Sequence, residues 1–430
     1  MCDSVVATRP ETREGTTLFA KNSDRHRGEC QPFVQNPAAF HPRGGMTACT
    51  HIEIPQVAET YANMGHSPWW VWGFEHGVNE HAVAIGNQTV FSNEPVEEAP
   101  GLIGMDLVRL GLERGRDARE ALEVIATLIE QHGQGGSGFG PGEGGYHNSF
   151  LIADPESAWL LETSGRRWAG RPVVLGSLSN HITLRDDWTI GSRDLESFAR
   201  GMGWWRDLER LDVAAAYRNP HVPGRISEGR LARSQALLEA GRSKHDVASM
   251  KQLLRDHGPD ADGPPTHLTP EDDGYCTLCM HAEPVGTTTA SMVAPLPTDR
   301  VGPWPVFVSF ASPCTALFLP VYLHGVLPAP LARGHGEREP GDLDSAWWTF
   351  HQLHEAVATD FARHGPAVHD AFRAFEERVD SERAEVERRV RDEVAAGDAD
   401  RASDMLSQFM DRTVSEALDL AEALRAGITT

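Results

Sequence analysis

The sequence predicts a layered α+β body followed by a helical C-terminal extension, and three observations carry that expectation. Short apolar runs broken by Gly, Pro and Asn fill the first 326 residues and read as strands. Between them lies a well-capped amphipathic helix. After residue 341 the apolar positions switch to helical spacing amid Glu and Arg. Strand groups mixed with helices bury their apolar faces by stacking in layers.

The chain opens with a strand-like run, Ser4-Val5-Val6-Ala7, immediately after Cys2-Asp3. A turn around Arg13-Glu14-Gly15 leads to a second strand, Thr17-Leu18-Phe19-Ala20, which ends in Lys21-Asn22-Ser23-Asp24-Arg25. A hairpin of this length brings Asp24 back beside the N-terminus. Residues 81–87 read as the next strand. Asp117 then caps a helix with Glu120 three residues on, and Ala118, Ala121, Leu122, Ile125, Leu128 and Ile129 form its apolar face. Runs 149–153 and 158–163 flank Asp154-Pro155-Glu156-Ser157 as a hairpin, and 306–310 is a further strand. Stretches 133–145 and 256–274 have loop composition.

The expected organisation is a body over 1–326, a Pro/Gly-rich linker over 327–341 and a helical extension over 342–430. Val368, Phe372, Phe375, Val379, Val386, Val390 and Val394 line one amphipathic helix of that extension. Leu406, Phe409, Met410, Val414 and Leu418 line a second. Their apolar faces are expected to pack on the body or on a second copy of the chain, as a homo-oligomer.

The 430 residues are 40% hydrophobic and 23% charged, ordinary for a chain that buries a large core. Against 39 Lys+Arg stand 62 Asp+Glu, a formal charge of −23, which argues against nucleic acid and anionic membranes as partners. No run approaches the ~18 consecutive apolar residues of a membrane helix, and the first residues lack a signal-peptide pattern. Six scattered cysteines make no disulfide framework, so the expected compartment is the cytoplasm.

The chemistry centres on Cys2. Cysteine is small enough for Met1 to be removed ahead of it, which would expose an N-terminal cysteine holding nucleophile and base in one residue. A free α-amine has a pKa near ~7.7–8.0 and can take the proton of a thiol that itself ionises near ~8.5. Asp24, returned by the hairpin, would orient that amine and favour its charged form.

Several ordered segments share a pattern: Cys2-Asp3-Ser4, Phe19-Ala20-Lys21-Asn22-Ser23-Asp24-Arg25 and Trp72-Gly73-Phe74-Glu75-His76-Gly77-Val78-Asn79-Glu80. They continue through Gly104-Met105-Asp106-Leu107-Val108-Arg109, Tyr146-His147-Asn148-Ser149-Phe150, Cys279-Met280-His281 and Thr288-Thr289-Ala290-Ser291-Met292. In these the sequence resembles the secernin and dipeptidase A family of cysteine N-terminal-nucleophile hydrolases, relatives of penicillin V acylases and bile salt hydrolases. The resemblance implies a four-layer αββα sandwich, exposure of Cys2 by loss of Met1, and hydrolysis of dipeptides or other small amides without metal or cofactor. It assigns catalysis to Cys2, Asp24, Asn87, Asn180 and Arg230, with Arg233 a second match for the last. Lys21 stands where the acylase relatives have arginine, Ala82 replaces a usual glycine, and His147 and Asn148 are further candidates for the pocket.

Each assignment fits the chemistry. A thiolate attacking an amide builds an oxyanion that needs fixed donors such as Asn87 and Asn180, and a guanidinium such as Arg230 balances charge without losing its proton. Two alternatives stay open: an acylase acting on N-acyl amino acids or lactones, and a non-enzymatic regulatory protein of the secernin kind. Cys276 and Cys279 are spaced as in a metal or redox motif. No second pair stands at zinc-finger spacing, so no metal site is expected there.

Overall fold

A computed structural model describes residues 1–140, 143–259, 261, 263–265, 267–300, 302–336 and 344–429. The opening hairpin is β1 (Cys2–Ala7) and β2 (Thr17–Arg25), antiparallel with Cys2 opposite Ser23. β3 (Phe33–Asn36) follows, then two small ribbons built from β4 (Ala39–Phe40) with β7 (Glu59–Thr60) and β5 (Met46–Ala48) with β6 (Glu53–Pro55). Next come β8 (Asn63–His66), β9 (His76–Asn79), β10 (Ala84–Val90), α1 (Gly104–Arg114) and α2 (Ala118–His132). The middle of the chain supplies β11 (His147–Ala153), β12 (Ala158–Ser164), β13 (Arg167–Val173), β14 (Leu175–Leu178) and β15 (Ile190–Gly191). α3 (Leu195–Gly201), α4 (Val213–Tyr217), α5 (Glu228–Ala240) and α6 (Val247–Leu254) lead to β16 (His281–Ala282), β17 (Gly286–Leu296), β18 (Val306–Phe310) and β19 (Leu319–Val321). Three helices close the chain: α7 (Ala346–Ala358), α8 (Phe361–Ala395) and α9 (Ala399–Thr429).

Two large sheets result. One runs β14-β1-β2-β17-β18-β19 with β16 on β17, the other β15-β13-β12-β11-β10-β9-β8-β3. Side chains alternate across each strand, and the alternation sorts them into three apolar clusters. Val6, Phe19 and Met292 of the first sheet meet Ala84, Leu151 and Leu160 of the second between the sheets. On the far side of the first, Val5, Leu18 and Val293 pack on Leu238 of α5 and Met250 and Leu253 of α6. On the far side of the second, Ile85, Ile152 and Leu161 pack on Leu107 of α1 and Leu122 and Ile125 of α2.

Local signals form as their chemistry requires. The Asp117 carboxylate accepts from the Glu120 amide at 2.8 Å and starts α2. Asp154 accepts from the Glu156 and Ser157 amides, both at 2.7 Å, and closes the β11–β12 hairpin. The strand expected over 81–87 begins only at Ala84, because Ala82 sits in a turn at φ 56°, a conformation that favours glycine. The described parts of 133–145 and 256–274 hold no helix and only isolated bridges, to Glu97 and Leu102.

Among its described residues the extension has three helices rather than the two expected. α7 was hidden because its buried Trp347, Trp348, Phe350 and Leu353 crowd its polar face, leaving no clean amphipathic stripe. Residues 327–336 include a short 3-10 turn at Ala329–Leu331, while the end of the expected linker and the first residues of the expected extension, 337–343, lie outside the described residues. Val368, Phe372 and Phe375 of α8 and Leu406, Phe409 and Met410 of α9 share the apolar cluster that contains Leu319, Val321 and Tyr322. Their apolar faces are therefore covered within the one chain.

Candidate active site

Register places Cys2 at the free end of β1, opposite Ser23 and beside Asp24. The ladder continues through Met1: the Asp24 amide donates to the Met1 carbonyl at 2.7 Å, and the Met1 ammonium contacts the Asp24 carbonyl oxygen. With Met1 in place the Cys2 nitrogen is a peptide amide, and it donates to Asn180 Oδ1 at 3.0 Å. Asn180 follows β14, the strand paired with β1 on its other side, so the two neighbours of β1 bring Asp24 and Asn180 to the start of the same strand.

Arg230, in the first turn of α5 and fully buried, completes this side of the site. It donates to Asn180 Oδ1 at 2.6 Å, is ion-paired with Asp3, and lies 3.6 Å from Asp24 Oδ2. Arg233 instead forks onto Asp256, its NH2 2.6 Å from Oδ2, which separates it from the site. The Asp24 carboxylate accepts from Thr288 at 2.7 Å through Oδ1, while buried Oδ2 has no hydrogen-bond partner. Burial pushes the Asp24 carboxyl up to about 6, against the pull of the N-terminal ammonium and Arg230. Asn180 Nδ2 is already engaged by the Thr89 carbonyl at 2.9 Å, so this amide presents its oxygen, not its donor, to Cys2.

The thiol points to the other side, at a residue that the sequence reading left without a role. Cys2 Sγ lies 3.7 Å from Glu75 Oε2. Glu75 precedes β9 and is buried with Lys21 Nζ at 3.4 Å and Arg25 NH1 at 3.3 Å. Arg25 also forks onto Glu29, which accepts from Trp70 Nε1 at 2.9 Å. Burial raises the Glu75 carboxyl, but Lys21, Arg25 and the N-terminal ammonium outweigh it and hold it below its usual range. The same burial pushes the Cys2 thiol up, Lys21 opposing and Glu75 adding to the rise. In the Met1-bearing chain Cys2 is thus a thiol that burial holds back from ionising, with its own nitrogen tied up in an amide.

Asn87, on β10, joins the Glu75 side. The amide orientation that satisfies its neighbours aims its nitrogen at Glu75 Oε2, 3.2 Å away, and at the Glu75 carbonyl, 3.0 Å away. Asn148 lies beside it and bonds Gln134 at 3.1 Å. His147 turns away, its Nδ1 2.9 Å from Ser92. The structure therefore gathers Cys2, Asp24, Asn180 and Arg230 on one flank and Lys21, Asn87 and Glu75 on the other. Glu75 lies in one of the segments that carry the resemblance, but its partners are 54 and 50 residues away and the sequence assigns it no role.

Peptidase family C69 matches residues 1–220, half of the chain, and the chain belongs to that family. It is 24% identical over 301 residues to a dipeptidase of Bifidobacterium longum (strain NCC 2705), covering 62% of this chain and 54% of that protein. It is 25% identical over 185 residues to a probable dipeptidase B of Lactococcus lactis subsp. lactis (strain IL1403), covering 39% of this chain and 36% of the relative. The chain thus spans about half, or less, of the length of these relatives. Among solved structures, it is similar to a mutant conjugated bile acid hydrolase from Clostridium perfringens, with TM-score 0.42, 13% identity and coverage of 72% and 89% of the two chains. It is also similar to penicillin V acylase from Agrobacterium tumefaciens, with TM-score 0.44, 13% identity and coverage of 75% and 86%. Among the described residues no helix is long and apolar enough to cross a membrane.

Proposed function

We propose that this chain is a cysteine dipeptidase of the N-terminal-nucleophile type, built as a four-layer αββα sandwich and working in the cytoplasm once Met1 has been removed. One observation carries the reading: two buried carboxylates beside Cys2 face one buried guanidinium, and the Met1 ammonium that lies against Asp24 departs when Met1 is removed. Asp3 and Asp24 bring two carboxylates and Arg230 one guanidinium, all buried, while Asp24 Oδ2 and Asp3 Oδ1 lack hydrogen-bond partners. A buried, unpartnered carboxylate oxygen is costly unless a cation or donor meets it. A free Cys2 ammonium would supply both the charge and the donors.

In this mechanism Asp24 and Asn180 hold the Cys2 amine, which in its neutral form takes the thiol proton. The thiolate attacks the peptide carbonyl, and Lys21 offsets its charge while Glu75 keeps Lys21 and Arg25 in place. Asn87, whose nitrogen rests on Glu75, gives up one of its two bonds there to donate to the developing oxyanion. Arg230 balances the two aspartates and fixes Asn180. The amine then returns its proton to the leaving nitrogen, and water resolves the acyl-enzyme. The names of the matched dipeptidases support a dipeptide as substrate.

The test pairs intact mass with turnover. Active protein should lack the mass of Met1 and hydrolyse members of a dipeptide panel. Full turnover by protein retaining Met1 would sink the mechanism. Turnover of an N-acyl amino acid panel alone would move the substrate class to the acylases, and no turnover by the Met1-free protein would favour a regulatory protein.

A further inference from the structure

A second cluster of reactive side chains lies outside the proposed catalytic centre, and the function argued above makes no use of it. His257, Cys279, His281 and Cys314 each aim one ligand-type atom at a common point, all four atoms lying within 4.8 Å of one another. His281 Nε2 is 3.4 Å from Cys279 Sγ, 3.3 Å from Cys314 Sγ and 3.3 Å from His257 Nε2. We propose that these four residues bind one zinc ion as a tetrahedral two-cysteine, two-histidine site.

Three observations support zinc over a knot of hydrogen bonds. The first is spacing. Nitrogen at ~2.0–2.1 Å and sulfur at ~2.3 Å from a tetrahedral centre stand about 3.3–3.8 Å apart, and the contacts around His281 fall at the lower end of that range. A true imidazole–imidazole hydrogen bond elsewhere in this chain, His66 to His76, is shorter at 2.9 Å. The second is the donor set. Two thiols and two imidazoles suit a borderline-soft divalent ion, and Zn²⁺ displacing the two thiol protons leaves a neutral centre in a buried place.

The third is that the backbone has built the site beforehand. The Cys279 amide donates to the Asp256 carbonyl at 2.9 Å, locking Cys279 beside the residue that precedes His257. Arg255 donates to the Pro313 carbonyl at 2.9 Å, tying the approach to His257 to the residue before Cys314. These bonds gather segments that lie far apart in sequence. The Cys276–Cys279 spacing is thus misleading: Cys279 meets residues 257, 281 and 314 rather than its near neighbour.

The position gives the ion a structural task. Met280, between two ligands, donates its amide to Thr288 Oγ1 at 2.8 Å and accepts from the Thr288 amide at 3.0 Å. Ser312, two residues before Cys314, donates to the Thr288 carbonyl at 3.0 Å. Thr288 in turn donates to Asp24. Zinc would therefore brace, from outside the site, the strand that holds the orienting carboxylate.

The test is metal content of the full-length chain, read independently of any turnover. Protein purified from zinc-supplemented cells should carry about one zinc per chain. Cys314→Ser and His257→Ala should lose most of it, and Cys276→Ser should keep it. Chelation should lower the melting temperature of the wild type, and zinc should restore it. If the variants fail to fold, cobalt(II) added to the metal-free wild type should give thiolate-to-cobalt charge-transfer bands. A reduced, folded chain that binds neither zinc nor cobalt overturns the proposal. So does a freshly isolated chain lighter by two hydrogens through a Cys279–Cys314 disulfide.

Discussion

Cys2 and Asp24 separate function from stability at single atoms. Cys2→Ala removes one sulfur from a strand end, so turnover should vanish while the melting temperature stays near that of the wild type. Asp24→Asn keeps the shape and removes the charge. A neighbouring carboxylate favours a charged amine, so in its absence the amine pKa falls, and the rising limb of the pH–rate profile should move to lower pH. The rate should drop by ~10²-fold or more as the amine loses its fixed orientation. Stability should respond in the opposite sense. In the Met1-bearing chain the folded Asp24 carboxyl sits at about 6, above its ordinary value of 3.8, so there its stabilising share is fully present below 3.8 and lost as pH rises through about 6. At pH 8 the Asp24→Asn chain should therefore melt no lower than the wild type, by calorimetry. A variant that is both slow and unstable would assign Asp24 a structural role.

At the level of elements, two backbone positions set the site. Ala82 holds the turn into β10 at φ 56°. Ala82→Gly should stabilise the chain by about 0.5–1 kcal/mol in urea unfolding, the relieved strain exceeding glycine's extra freedom when unfolded. Gly104 begins α1 so close to β10 and β11 that a Cβ there would stand 1.9 Å from Asn148 Oδ1 and 2.5 Å from the end of the Asn87 side-chain amide. Gly104→Ala should displace both amides and cut kcat by about tenfold or more, with the helix itself intact by circular dichroism. Elements were legible where the signal was local. The apolar run Val5-Val6-Ala7 and the cap at Asp117 each need only their own neighbours. The polar end of β2 gave no such signal. Lys21 to Arg25 are buried because their partners arrive from Glu75, Arg230 and Thr288, and a single sequence does not display pairings across such distances. Glu75 and the His257–Cys314 cluster were missed for the same reason.

For the molecule as a whole, the C-terminal helices are part of the same packing. Trp347 Nε1 donates to the Thr289 carbonyl at 2.8 Å, and Glu376 of α8 takes Lys251 at 3.0 Å and Arg255 at 2.7 Å. A chain cut before residue 342 would expose Leu319, Val321 and Tyr322 and leave Lys251 and Arg255 without that carboxylate. It should aggregate or run as a mixture on size exclusion, where the full chain gives one species. The opposite end carries a practical consequence. Because the β1–β2 ladder runs out through the Met1 carbonyl, a sequence fused ahead of Cys2 leaves along the line of β1. On the proposed mechanism, a protein carrying an amino-terminal affinity tag should fold but show no turnover, its amine locked in an amide. Purification handles belong at the carboxyl end, where Thr429 is exposed, and a blank from a tagged library clone says nothing about the untagged protein.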